Sequence, residues 1–99
     1  MKILFLGTPE FSAEILKRIP PKHTITAVVS QPDRAKDRKG NLLPTPLKKY
    51  AVENGIKVYQ FERIKKSVDE LKTIAADIFI TAAYGQILSQ EIIDLPRYG

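Results

Sequence analysis

Ninety-nine residues with 43% apolar and 27% charged side chains describe one small globular domain at most, and sixteen Lys and Arg against eleven Asp and Glu give a formal charge of +5. Cysteine is absent, which excludes disulfides, thiolate metal sites and a thiol nucleophile, and no metal is expected. No apolar run approaches the ~20 residues of a membrane span and no basic-then-apolar leader opens the chain, so a cytoplasmic protein without membrane attachment is expected.

Ile3 to Leu6 is an unbroken apolar run ended by Gly7, the pattern of a parallel strand covered on both faces. Thr8 and Pro9 then read as a helix start, a hydroxyl N-cap followed by proline at the first helical position. Phe11, Ile15, Leu16 and Ile19 follow at helical spacing until Pro20 and Pro21 stop the helix, and the lone His23 reads as a solvated loop residue. Thr24 to Ser30 is β-branched and apolar, a second buried strand. From Gln31 to Pro46 the sequence loses its period and carries three prolines and one glycine. Structureless loops of this length inside compact domains are generally functional or disordered, and this one starts at the carboxyl end of a strand. Between Asp33 and Lys49, six basic residues (Arg34, Lys36, Arg38, Lys39, Lys48, Lys49) meet only Asp33 and Asp37, so one stretch holds +4 of the charge. It reads either as a solvated face or as a phosphate-tracking arm.

Thr45 and Pro46 repeat the hydroxyl-plus-proline helix start, with Leu47, Tyr50 and Ala51 as the apolar stripe and Gly55 as the stop. Ile56 to Tyr59 is a short third strand. Ser67 to Glu70 forms a capping-box pattern backed by Val68, Leu71 and Ile74, and Asp77 to Ala82 is the fourth strand. It runs into Ala83 to Leu88, apolar residues around Gly85 where a polar loop is the usual choice. Ser89 caps a last short helix through Ile93.

The βαβαβαβ order predicts an α/β fold, a Rossmann-like doubly wound parallel sheet with strand order 3-2-1-4. The topological switch point then lies between the turn at Gly7 and Thr8 and the segment Ala83, Tyr84, Gly85. With no fifth strand to cover strand four, the domain reads as truncated. Dinucleotide binding is disfavoured: Gly7 is the only glycine of its turn, Pro9 removes an N–H and Glu10 adds negative charge. What remains is a crevice with an apolar wall, Tyr84 to Leu88, exposing backbone groups around Gly85, which suits a flat heterocycle with polar edges. The alternative is that Tyr84, Ile87 and Leu88 simply pack the core.

Three stretches carry a resemblance in the right order and spacing: Gly7 to Ser12 (GTPEFS), Val28 to Arg34 (VVSQPDR) and Ala83 to Leu88 (AYGQIL), with Leu95 to Gly99 (LPRYG) following. Together they resemble the methionyl-tRNA formyltransferases over the whole chain. The resemblance implies a Rossmann-like formyltransferase domain followed by a smaller β-barrel domain. It also implies transfer of a formyl group from the co-substrate 10-formyltetrahydrofolate to the amino group of methionine on the initiator tRNA, with no DNA and no metal involved. By resemblance, Tyr84, Gly85, Gln86, Ile87 and Leu88 line the folate pocket, and Arg34, Lys36, Arg38 and Lys39 belong to a basic insertion that enters the tRNA acceptor arm. The family's catalytic Asn-x-His-x-Ser-Leu-Leu-Pro segment follows the Leu-Pro-Arg-x-Gly turn. The chain is therefore expected to be the N-terminal portion of the formyltransferase domain, spanning residues 1–99, with no catalytic residue and no activity of its own. Two alternatives stay open: another folate-dependent formyltransferase acting on a sugar nucleotide or small amine, or a non-catalytic RNA-binding module.

Overall fold

The computed structural model describes residues 1–33, 38–74, 76–86 and 88–96; the expectations placed on Arg34, Lys36, Ile87 and Arg97 to Gly99 lie outside the described residues. Strand β1 (Lys2–Gly7) leads into helix α1 (Glu10–Lys17), then β2 (Thr24–Ser30), α2 (Pro46–Glu53) and β3 (Val58–Gln60). A single 3-10 turn (Ile64–Lys66) and helix α3 (Val68–Leu71) precede β4 (Ile78–Ala82), and α4 (Gln90–Ile93) follows. The four strands are parallel in the order β3-β2-β1-β4, as the element pattern predicts. No helix among the described residues is long and apolar enough to cross a membrane.

Alternation along β1 divides the core into two layers. Leu4 and Leu6 point to one face with Ala27 and Val29 of β2, meeting Phe61, Ile64, Leu71, Tyr84 and Ile92. Phe5 and Val28 point to the other, beneath Ala13 and Leu16 of α1 and Leu47 and Ala51 of α2. Both faces being covered, β1 buries every residue from Ile3 to Gly7, whereas β4 at the edge is mostly half-buried. This is why β1 reads as continuously apolar rather than alternating.

Several local signals form as expected. Thr45 caps α2, its hydroxyl accepting from the Lys48 N–H at 3.2 Å with Pro46 at the first turn. Beyond Asn54, Gly55 at φ 69° closes the helix, with Gly55 N–H donating to Val52 and Ile56 N–H to Ala51, the paired bonds of a Schellman motif. Ser89 caps α4 through the Ile92 N–H at 3.3 Å.

Four expectations need correction. The N-cap position of helix α1 is Pro9, not Thr8, and no side chain caps it; the Thr8 hydroxyl bonds to the Tyr84 carbonyl instead. Phe11 is 65% exposed: the stripe that reaches the sheet runs through Ser12, Ala13 and Leu16, and Phe11 falls to one side of it. Strand β3 begins at Val58, since the Ile56 N–H is consumed in closing α2. Ser67 makes no side-chain cap; it serves as the joint between the 3-10 turn and α3.

Candidate functional site

All four strands deliver their carboxyl ends to one edge, where polar side chains join them. Gly7 ends β1 where α1 and β4 crowd against it: a Cβ there would lie 2.5 Å from Ser12 Cβ and 2.8 Å from the Ala82 carbonyl oxygen. The fully buried Ser12 fills that space, its hydroxyl donating to the Ala82 carbonyl and accepting from the Thr8 N–H at 3.2 Å. The Thr8 hydroxyl donates to the Tyr84 carbonyl at 2.8 Å and accepts from the Gln31 N–H at 3.3 Å. Its own carbonyl accepts from the Leu47 N–H at 3.2 Å. One threonine thus links the ends of β1, β2 and β4 to the start of α2, which places Gly7 and Thr8 at the switch point together with Ala83, Tyr84 and Gly85.

The turn after β4 has a special backbone. Ala83 has φ 56° and Gly85 φ 100°, both in the left-handed region. For an alanine this conformation costs about 1–2 kcal/mol, which the surrounding bonds must offset. Glycine escapes most of that cost, and a Cβ at position 85 would meet Gln31 Nε2 at 2.8 Å. Gln86 fastens the turn: its Nε2 donates to Gln31 Oε1 at 2.7 Å and to the Phe61 carbonyl at 2.8 Å, and its Oε1 accepts from the Ile64 N–H at 2.7 Å. Beside it opens a cleft of about 510 Å³, bordered by Gly85, Gln86 and the segment Glu62 to Lys66. That volume is in the range of small-molecule sites.

Within the expected apolar wall, side chains and backbone part company. Tyr84 is only 4% exposed, its ring packed in the core, and Leu88 packs against the same cluster. Gly85 and Gln86 face the cleft. The Tyr84 hydroxyl is buried with no hydrogen-bond partner among the described residues, and burial pushes its phenol up to about 12.

The loop after β2 is fastened at its root. Asp33 Oδ1 accepts from the Thr45 N–H at 3.1 Å and from Gln60 Nε2 at 2.8 Å, while Oδ2 pairs with Lys48 Nζ at 2.8 Å. Ser30 and Thr45 hydroxyls meet at 2.6 Å, and Gln60 also donates to the Gln31 carbonyl at 3.1 Å. Burial alone would raise the Asp33 pKa, but hydrogen bonds from Lys48, Gln60 and Thr45 outweigh it and hold the carboxyl below its usual value. Residues 38–44, Arg38 and Lys39 among them, are exposed. Lys48 belongs to the root rather than the arm, its charge balanced by Asp33.

Sequence reasoning assigned no role to Gln31, Asp33 and Gln60, which carry much of this network. The available signal was the placement of polar side chains directly after buried strands, at Ser30-Gln31 and Tyr59-Gln60, where an unpaired amide would be costly.

The N-terminal model of the formyl transferase family matches residues 1–99. A protein of Listeria innocua named methionyl-tRNA formyltransferase is 46% identical over 100 residues, covering 99% of this chain and 32% of its own length. Proteins of the same name from Trichodesmium erythraeum and Prochlorococcus marinus are 45% and 43% identical over 104 and 103 residues, covering all of this chain and 31% of each relative. The chain spans about a third of the length of the curated relatives it matches.

Proposed function

Because the chain belongs to the formyl transferase family, we propose that its gene product moves a formyl group from 10-formyltetrahydrofolate to the amino group of methionyl-initiator tRNA in the cytoplasm. In this reaction the amine forms a bond to the formyl carbon, the bond from that carbon to the folate nitrogen breaks, and the proton lost by the amine ends on that nitrogen. This reading gives the 99 residues, the N-terminal portion of the enzyme, the work of binding and orientation rather than proton transfer. Gly85 and its neighbours Tyr84, Gln86, Ile87 and Leu88 take the folate, the backbone of the turn meeting the polar edge of the pterin. Gly7 and Thr8 form the floor of that crevice. Arg34, Lys36, Arg38 and Lys39 take the tRNA phosphates.

One observation carries the proposal. A continuous chain of hydrogen bonds runs from the cleft to the root of the basic loop, Gln86 to Gln31, Gln31 to Gln60, and Gln60 to Asp33. The same edge of the sheet therefore fixes a small-molecule cleft and a cationic loop relative to each other, as a transfer between a small donor and a polyanionic acceptor requires. The residues at the cleft fit the donor. Gly85, held at φ 100° and bare of a side chain, lines the cleft beside Gln86, which suits the close approach of a planar ring.

The test offers the full-length gene product 10-formyltetrahydrofolate with methionyl-initiator tRNA and small amines, sugar-linked amines included, side by side. Formylation of the tRNA alone is expected; formylation of a small amine alone would move the protein to another formyl acceptor. Replacing Arg34, Lys36, Arg38 and Lys39 by alanine should weaken tRNA binding and flatten log K against log [salt] by roughly 3 units, at about 0.7–0.9 per phosphate contact. Folate affinity should stay the same. An unaltered slope would return the loop to a solvated face.

A further inference from the structure

The loop after β2 is gathered at its root, and three of the bonds there converge on one carboxylate. Residues 33 and 45 lie twelve apart in sequence yet are joined by the Thr45 N–H to Asp33 Oδ1 bond. Lys48 one turn into α2, and Gln60 at the end of β3, converge on the same side chain. Asp33 therefore takes donors from three places: the far end of the loop, the helix that follows it and a neighbouring strand. It also sits at the amino end of α2, where a negative charge is favoured. The side chain is 16% exposed and Lys48 28%, so the pair is sheltered without being sealed from water.

We infer that Asp33 is a positioning residue for the acceptor nucleic acid: it closes the base of the basic loop and so presents the exposed residues 38–44 to tRNA in one orientation. This rests on the reading above that the loop binds tRNA. The physical content is preorganisation. A loop whose ends are pinned gives up less freedom on binding than one that pivots at its root, and the binding-competent population is correspondingly larger. Asp33 touches no reacting group in this scheme and acts only through the loop.

Charge and positioning predict opposite signs, which makes the inference sharp. Asp33 is an acidic residue beside a proposed polyanion site. If it mattered only as a charge, Asp33→Asn would remove one repulsive carboxylate, release Lys48 for phosphate and tighten tRNA binding. As a positioning residue its loss does the reverse: the amide nitrogen of asparagine faces the Lys48 ammonium donor against donor, and the root opens.

The experiment measures tRNA binding and formylation kinetics for the full-length wild-type protein, Asp33→Asn and Asp33→Glu. The expected result for Asp33→Asn is tRNA binding weaker by about three- to tenfold, the scale on which loss of preorganisation acts. KM for tRNA should rise in step, with kcat and KM for the formyl donor unchanged and the salt slope retained. Asp33→Glu keeps the charge but displaces it by one methylene, and should weaken binding by a smaller factor. Tighter binding by Asp33→Asn, or unchanged binding in a folded Asp33→Asn, overturns the inference. If Asp33→Asn fails to fold, Asp33→Glu decides alone, and unchanged affinity there overturns it equally. A wild-type protein that does not bind tRNA at all refutes the underlying functional reading instead, so the two failures are told apart.

Discussion

The turn after β4 and the loop after β2 leave the same edge of the sheet, yet they are held in different ways. The first is fixed along its length. Ala83 and Gly85 hold left-handed angles, Tyr84 is buried between them and Gln86 spends both its amide nitrogen and its oxygen on the segment Phe61 to Ile64. The second is gathered at its root by Asp33, while residues 38–44 lie open to solvent. A preset backbone suits a rigid flat ligand; a pinned but exposed cationic segment suits a long, flexible, charged one. The difference lies in where the hydrogen bonds fall.

The largest expected effect breaks the first region. Gln86→Leu removes both donors and the acceptor at once and leaves the Phe61 carbonyl and the Ile64 N–H without their partner. An unsatisfied buried polar group costs about 1–3 kcal/mol, so a loss of roughly 2–4 kcal/mol in urea unfolding is expected. Formyl-donor affinity should fall with it, while tRNA binding to the remaining folded protein should change little. Equal damage to both ligands would mean that loss of the Gln86 to Gln31 bond carries through Gln60 to the Asp33 root.

A smaller effect, confined to acid, sharpens the second region. The folded Asp33 carboxyl titrates below its ordinary value, so its contribution is fully present above the ordinary value of 3.8 and is lost as pH falls through the lower folded value. Wild-type protein and Asp33→Asn should therefore differ in urea midpoint at pH 6 and converge as pH drops below about 4. Curves that stay parallel through that window would mean Asp33 is not ionised and paired in the folded state.

Much of this fold was legible because a parallel sheet buried on both faces writes itself as short continuous apolar runs. Lys2–Gly7 and Thr24–Ser30 are of that kind. Thr45 with Pro46, and Gly55 after Asn54, also form what their chemistry predicts, since each signal is satisfied by atoms within a few residues. Thr8 departs from expectation for the opposite reason. The Thr8 hydroxyl bonds to Tyr84, 76 residues away, and no local pattern announces such a partner. The candidate site is therefore only half legible. Gly85 and the basic residues stand out by type, while Gln31, Asp33 and Gln60 matter by whom they meet.

The smallest expected effect falls on Tyr84. Its hydroxyl is buried with no partner among the described residues, so Tyr84→Phe should leave stability unchanged or raise it by up to about 1 kcal/mol. Absorbance at 295 nm should show one of the four tyrosines ionising late, near about 12, and that step should vanish in the variant. A clear loss of stability would show that the hydroxyl does bond within the folded protein.

The central position of β1 also has a consequence in time. Ile3 pairs with Ile25 on one side and Ile78 on the other. On the ribosome the first of these partners arrives early, while the second must wait for roughly fifty further residues beyond β2, some ~3–10 s at ~5–20 residues per second. Throughout that interval the nascent chain displays the unpaired N–H and C=O row of its most apolar strand, an edge open to the same strand on a neighbouring nascent chain. The hazard belongs to synthesis, not to the finished fold. A translational pause that falls after β2 has cleared the ribosome but before β4 has done so should raise the aggregated fraction of newly made protein, while a pause placed after β4 has cleared should not.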